Sequence, residues 1–508
     1  MRFFFLAFLF VLLFLSEKVQ GQAVSWGDQG NGTYINPILN ADYSDPDVIR
    51  VGDKYYMVCS DFHYIGMPVL ESDDMVNWRI ISQVYNRFDF PGWDNNENYG
   101  GGSWAHDGKF WIYFCTPREG LMMSTATDPH GPWTPLHCVK NIGGWEDPCP
   151  FWDEDGQAYM GRSQLGAGPI YLHRMTPDGK TLLDDGKIIY TGPVAEGTKF
   201  YKRHGYYYLS IPEGGVGEGW QTILRSKNIY GPYEKKVVLE QGNTTVNGPH
   251  QGALVDTPEG EWWFFHFQLT EPLGRVVHLQ PVCWMENWPV IGVDMDMNGI
   301  GEPVKVWTKP GVSKSVLVSH PQTTDDFSSY TLGLQWQFNH NPVNTHWSLN
   351  ERRGWLALKA LKAATLRESR NMLTQKCMGY LSTATVLLDF SALADGQRGG
   401  LFCTGSLYNG IGISREEGKN YLYLEKNGDV QQVKMVSGKK IYLRVMLDAK
   451  KNRCQLFYSF DNRNFILCGD AYSLKFGDWK GARVGLYSYN TLGIGGKCYF
   501  DWFNYDFN

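Results

Sequence analysis

The chain has 508 residues, and since a single core rarely grows past about 250–300 residues, at least two domains are expected. Its formal charge of −6 is spread without acidic or basic blocks, which excludes the electrostatic footprint of a nucleic-acid or anionic-membrane binder and favours a neutral ligand. Aromatic residues make up 15% of the chain, with 19 Trp and 29 Tyr; such rings stack on the apolar faces of sugars, although aromatic-rich β-structure raises the count as well.

The chain opens on Met1-Arg2 and an apolar run from Phe3 to Leu15, followed by Ser16-Glu17-Lys18 and the small-residue site Val19-Gln20-Gly21-Gln22. A basic start, a short apolar segment and a small-residue exit predict a signal peptide over residues 1–21. The run falls short of the roughly 20 apolar residues that span a bilayer. The mature protein is therefore expected to be periplasmic or secreted, with no membrane contact once the signal is removed.

Long amphipathic helical patterns are nearly absent, whereas short aromatic and β-branched runs separated by Gly, Asp and Asn turns recur throughout, the signature of an all-β chain. One pattern returns five times: a polar motif, an apolar run, a two-residue turn and a dense aromatic strand. Its copies begin at Ser44-Asp45-Pro46-Asp47, Gly101-Gly102-Ser103, Glu146-Asp147-Pro148, Glu196-Gly197 and Gly248-Pro249-His250. They turn through Gly52-Asp53, Asp107-Gly108, Asp155-Gly156, His204-Gly205 and Glu259-Gly260. A period of roughly 50 residues lies in the range of propeller blades, so a five-bladed β-propeller is expected over 30–318. If each polar motif heads the innermost strand of its blade, distant motifs point into one channel mouth. Asp45, Asp147, Glu196 and His250 then meet.

Asp294-Met295-Asp296-Met297-Asn298-Gly299 matches the first half of a calcium loop, but Lys305 stands where the bidentate Glu is needed, so a polar hairpin turn is the better reading. The stretch Ser319–Asp326 reads as a linker, after which the repeat does not return. Alternating short strands such as Gly400–Cys403 and Tyr421–Leu424 predict a β-sandwich over 325–508, with the last strand, Cys498–Tyr505, pairing near Phe327. The ten cysteines have no paired CxxC spacing and read as buried free thiols without chemistry.

Three of the five motifs carry a carboxylate. Glycosidic hydrolysis needs one carboxylic acid to protonate the leaving oxygen and one carboxylate opposite it to activate water or attack the sugar, and a third carboxylate is one device for separating their pKa values. An Asp-Pro pair alone is more often a turn. Asp45 and Asp147 together with Glu196 in a third copy point to chemistry. A carbohydrate-binding propeller that has lost catalysis, and a retaining enzyme with Asp45 as nucleophile, are the competing readings.

Asn36-Pro37-Ile38-Leu39 followed by Asp42–Arg50, Trp145–Pro150, Glu196–Tyr201 and Leu273-Gly274-Arg275 resemble the corresponding motifs of glycoside hydrolase family 43. Gln335–Pro342 and Tyr408–Ile413 are similar to the concanavalin-like sandwich that accompanies its β-xylosidase-like members. The resemblance implies an exo-acting, inverting enzyme that releases terminal α-L-arabinofuranose or β-D-xylose from plant oligosaccharide or polysaccharide. It makes Asp45 the general base, Glu196 the general acid and Asp147 the group that orients Glu196 and raises its pKa. It places His250 at the channel centre and Arg275 at the pocket, with Phe62 and Trp104 as candidates for a sugar-stacking wall. No cofactor is required, although some relatives hold an ion in the channel, so a structural calcium there is compatible. The second copy departs from the pattern: Trp104-Ala105-His106-Asp107-Gly108 is abrupt, which predicts a shortened or displaced strand in blade two and casts doubt on the neighbouring pocket wall. No loop lining a narrow xylobiose pocket is recognisable in 320–508, which leans the reading towards arabinofuranoside.

Overall fold

The computed structural model describes residues 25–91, 99–311 and 317–508, and the side chains of 99–105 are outside that description. The expected signal peptide therefore lies outside the described residues.

Five consecutive four-stranded antiparallel sheets form the blades of a propeller. Their innermost pairs are Ser44–Val51 with Lys54–Ser60, Tyr99–His106 with Lys109–Thr116, and Trp145–Trp152 with Ala158–Gln164. Lys199–Arg203 with Tyr206–Glu213, and Leu254–Asp256 with Trp262–Thr270, complete the set. Turn chemistry explains the recurrence: Asp107-Gly108 and His204-Gly205 adopt φ of 48° and 67°, and of 51° and 77°, the left-handed pairs that match strand twist in two-residue hairpins. The aromatic second strands then pack one blade against the next. Ring centroids lie 5.1 Å apart for Tyr56–Phe110, 5.1 Å for Trp111–Trp152, 6.2 Å for Phe151–Tyr207 and 5.4 Å for Tyr208–Trp284. Much of the aromatic excess is used here, between blades.

Blade two corrects an expectation. Its innermost strand runs over eight residues, Tyr99–His106, as long as those of blades one and three, and pairs with Lys109–Thr116 through a bulge between Tyr99 and Gly101. The length comes from residues on the N-terminal side of Trp104, so the abrupt Trp104–Gly108 segment is only the strand's end.

The ring is closed from outside the blades by a three-stranded sheet of Gly27–Asp28, Thr33–Ile35 and Val306–Thr308, which joins the two ends of the propeller segment. Beneath it Lys309 Nζ reaches Asp28 Oδ2 at 2.5 Å and Asp74 Oδ2 at 2.6 Å, both carboxylates almost fully buried. Removing the cation leaves two buried charges uncompensated, so Lys309→Met is expected to cost about 3 kcal/mol, measured by denaturant unfolding. A loss below about 1 kcal/mol would show that the closure does not depend on this pair.

Gln322 bonds the backbone of Ile80 on both sides, at 3.0 and 2.8 Å, and carries the chain from the propeller to a sandwich of two large sheets, antiparallel except where Leu361–Lys362 runs parallel to Arg483–Asn490. The final strand, Lys497–Phe507, lies inside one sheet between Leu356–Lys359 and Leu381–Asp389, and Phe503 also exchanges backbone hydrogen bonds with Asp325. One apolar cluster runs continuously from Tyr43, Met57 and Leu273 of the propeller into Leu373, Leu401 and Leu443 of the sandwich. At the same interface Asp61, buried, receives Lys376 at 3.1 Å and Arg483 at 2.5 Å. All ten cysteines are free and eight of them are buried. Asp294 and Asp296 accept the backbone N–H groups of Asn298 and Gly299 at 2.9–3.2 Å, the bonding of a polar turn.

Candidate active site

The innermost strands open with a shared irregularity. Asp45, Asp147, Gly197 and Gln251 have φ of 53°, 51°, 59° and 54°, a left-handed residue at the same point in blades one, three, four and five. In blades one and three the ladder slips at this point, between Ser44 and Asp47 and between Glu146 and Cys149. Such a bulge re-aims side chains at a strand end. It also sets the equivalence between copies: Asp45 and Asp147 occupy the left-handed position, whereas Glu196 precedes it, as do Ser44, Glu146 and His250. Glu196 is thus the counterpart of Glu146 and not, as the motif alignment alone suggests, of Asp147. In blade four the left-handed position must be glycine, because a Cβ on Gly197 would lie 2.7 Å from Pro212 and 2.8 Å from Gln251.

Asp45, Asp147 and Glu196 line one pocket of about 280 Å³ together with Glu146, Gln251, Phe62 and Arg275. Asp45 is buried and held at both oxygens: Arg275 Nη1 donates to Oδ1 at 2.8 Å and Ser44 Oγ to Oδ2 at 2.9 Å. Asp147 receives Gly197 N at 2.7 Å, Ser163 Oγ at 3.2 Å and Gln251 Nε2 at 2.9 Å. Burial and the neighbouring Asp45 push its pKa upward, and these donors restrain the rise. Glu196 is different. Among the described residues its carboxyl accepts no hydrogen bond, and His250 Nε2 lies 3.6 Å from its Oε1. Burial, then Asp147, raises it to about 8 against the opposing pull of Arg275, so it carries a proton at neutral pH.

His250 is fully buried against Phe267, with the Gly215 backbone beside its ring and Glu196 Oε1 3.6 Å from its Nε2. Burial, with Arg275 and His266 adding to it, lowers its pKa to about 3 and keeps it neutral. The Arg275 guanidinium sits 4.7 Å from the Phe267 ring and 5.8 Å from that of Phe62. Phe62 is buried at the wall. The Trp104 backbone pairs with Trp111 in blade two, and its side chain lies outside the described residues.

Glu146, Gln251 and Trp479 line the pocket without having been site candidates in the sequence. Glu146 stands beside Asp147 in the quoted motif, and its position in the repeat, the same as that of Glu196, is the signal that could have found it. It accepts Ala167 N at 2.9 Å and Gly166 N at 3.3 Å, and burial, then Asp147, raises it to about 9. Trp479 comes from the sandwich. The turn Gly477–Lys480 holds Asp478 and Trp479 at φ of 54° and 55°, and places the Trp479 ring 6.4 Å from Phe62 at the pocket edge. His63 Nε2 bonds the Asp478 carbonyl at 2.9 Å. Asp42 accepts both Gly481 N at 2.8 Å and Arg275 N at 2.9 Å, fastening the sandwich to the strand that carries Arg275. Gly274 permits this approach: a Cβ there would lie 2.4 Å from Asp42 Oδ1. A sandwich loop therefore does line the pocket, and the lean towards arabinofuranoside, which rested on its absence, loses its support.

Because Glu146 and Glu196 hold protons more tightly in the folded state than ordinary carboxyls do, the stability linked to them is full below about pH 4.5 and is lost as pH rises towards about 8–9. Glu146→Gln should flatten that decline in melting temperature between pH 5 and 9. An unchanged slope would mean Glu146 does not contribute.

The model for "Glycosyl hydrolases family 43" matches residues 34–289, and that for "Beta xylosidase C-terminal Concanavalin A-like domain" matches 324–506. A protein of Xylanibacter ruminicola named "Putative beta-xylosidase" is 58% identical over 474 residues, covering 92% of this chain and 89% of its own. The non-reducing end alpha-L-arabinofuranosidase BoGH43B of Bacteroides ovatus is 31% identical over 80% of this chain and 78% of its own. The crystal structure of the GH43 BlXynB protein of Bacillus licheniformis superposes with a TM-score of 0.80 at 28% identity, covering 93% of this chain and 99% of that one.

Proposed function

The chain belongs to glycosyl hydrolases family 43 and is a glycosidase, and on that premise we propose that it removes terminal pentoses from plant-derived oligosaccharides with inversion, taking β-D-xylose in preference to α-L-arabinofuranose. The observation that carries the reading is the meeting, in one pocket, of a doubly bonded Asp45 with a protonated Glu196 that accepts no hydrogen bond.

Glu196 gives its proton to the glycosidic oxygen as the bond to the anomeric carbon breaks. Asp45, aimed by Arg275 and Ser44, takes a proton from a water that attacks the anomeric carbon from the opposite face. Asp147 keeps the Glu196 proton in place by its charge and positions the Glu196-Gly197 segment through its bond to Gly197 N. Phe62 and Trp479 form an aromatic edge for the sugar.

The xylose preference rests on the 58%-identical relative's name, against an arabinofuranosidase at 31%. Matched nitrophenyl β-D-xyloside and α-L-arabinofuranoside test it. A higher kcat/KM for the xyloside is expected, a higher value for the arabinofuranoside reverses the preference, and hydrolysis of neither contradicts the pentosidase reading.

Export rests on the N-terminal pattern of residues 1–21, and intact-mass measurement of the mature protein, expected to begin near Gln22, checks it. A structural calcium in the channel rests on His250, whose neutral ring offers one ligand, with water oxygens completing the shell. The ion would add positive charge near Glu196. Chelation should lower the melting temperature and calcium should restore it; an unchanged melting temperature would rule the ion out.

A further inference from the structure

We propose that Glu146 is a specificity-determining residue whose carboxylic acid donates a hydrogen bond to a ring hydroxyl of the terminal sugar; this rests on the pentosidase reading of the same pocket. Glu146 lines the pocket one blade from Glu196 and at the same place in the repeat. One oxygen from each of Glu146, Asp147 and Glu196 fits within a 4.8 Å cluster. Among the described residues no Lys, Arg or His forms an ion pair with Glu146. Its two oxygens take backbone N–H groups from Gly166 and Ala167 in the turn that forms the pocket wall, and Gly168 N in turn bonds the Ala195 carbonyl beside Glu196.

This arrangement leaves one donor without an acceptor. A pKa raised to about 9 means that Glu146 keeps its proton at neutral pH. The oxygen facing Gly166, at 3.3 Å, makes the weaker of its two bonds and is the better place for that proton. Asp147 is already met by Gly197, Ser163 and Gln251, and Glu196 is itself a proton donor. Among the described residues no hydrogen bond joins Glu146 to Asp147 or Glu196, its partners being Gly166 N and Ala167 N, so the acceptor open to its proton is whatever fills the pocket, and in a pentosidase that is a sugar hydroxyl. A buried donor made for a hydroxyl rejects an analogue that lacks it, because the donor is then left unpaired.

The test compares wild type, Glu146→Ala and Glu146→Gln on the nitrophenyl pentoside that wild type turns over fastest and on its monodeoxy analogues. Wild type should discriminate against one analogue above the others. Glu146→Ala should lose about tenfold of that discrimination, with KM for the parent rising more than kcat falls, and Glu146→Gln, whose amide N–H can donate, should recover most of it. A merely structural role in holding the wall loop would shift all substrates together and leave the ratios unchanged. If the alanine variant fails to fold, Glu146→Met, which preserves the side chain's length, makes the same comparison. Wild-type ratios retained at every hydroxyl overturn the proposal while leaving the pentosidase reading intact. Turnover of no pentoside by wild type overturns both.

Discussion

Asp45→Asn is expected to lower kcat on xylobiose by about 10⁴-fold, the upper end of what a positioned general base contributes, with the melting temperature within a few degrees of wild type. The reason is geometric. Asn preserves the size of the side chain and one acceptor for Arg275, so the bulge at Ser44–Asp47 and the Arg275 contact persist. What it removes is the anionic oxygen that collects the proton from water. Arg275 and Ser44 hold that carboxylate in place before substrate arrives, so no other group reaches the same position when it is lost. Turnover within tenfold of wild type would remove Asp45 from the mechanism. A collapse in melting temperature would instead make its role structural.

Glu196→Ala should act selectively. On xylobiose, whose leaving group departs as an alkoxide unless it is protonated, kcat should fall by about 10³-fold; on a nitrophenyl xyloside, whose leaving group needs no proton, the loss should be far smaller. The pH profile supplies an independent check. Glu196 must be protonated to act and holds its proton up to about pH 8, so wild-type kcat/KM on xylobiose should be lost as pH rises through about 8. Asp147→Asn removes one of the negative charges that raise Glu196. The alkaline limb should then move to lower pH, only partway, because burial is the larger cause. Equal losses on both substrates, or an alkaline limb that Asp147→Asn does not move, would place the acid elsewhere.

The architecture is legible in the sequence because the propeller repeats one unit. A polar motif, a turn with left-handed residues such as Asp107-Gly108 and an aromatic strand specify a hairpin, and five hairpins at even spacing specify a ring. Less legible is anything set by a single irregular residue. The left-handed bulge decides that Glu196 corresponds to Glu146, and no periodicity reveals it, because the bulge adds a residue and breaks the alternation on which pattern reading depends. Blade two misleads for a related reason: measuring its strand from Trp104 hides the part that begins at Tyr99. Trp479 is invisible for a different cause. It reaches the pocket only because the sandwich docks on the propeller through Asp42, His63 and Asp61, contacts between segments far apart along the chain.

Those contacts make the sandwich part of the pocket. The Asp42 carboxylate joins the sandwich at Gly481 to Arg275, and Arg275 in turn aims Asp45, so the docking surface and the general base share one chain of hydrogen bonds.

In this mechanism Asp45 activates water and does not itself attack the sugar. Proton NMR of the xylose first released from a β-xyloside, recorded before the anomers equilibrate, tests it most directly. α-Xylose is the expected initial product. Initial release of β-xylose would contradict it.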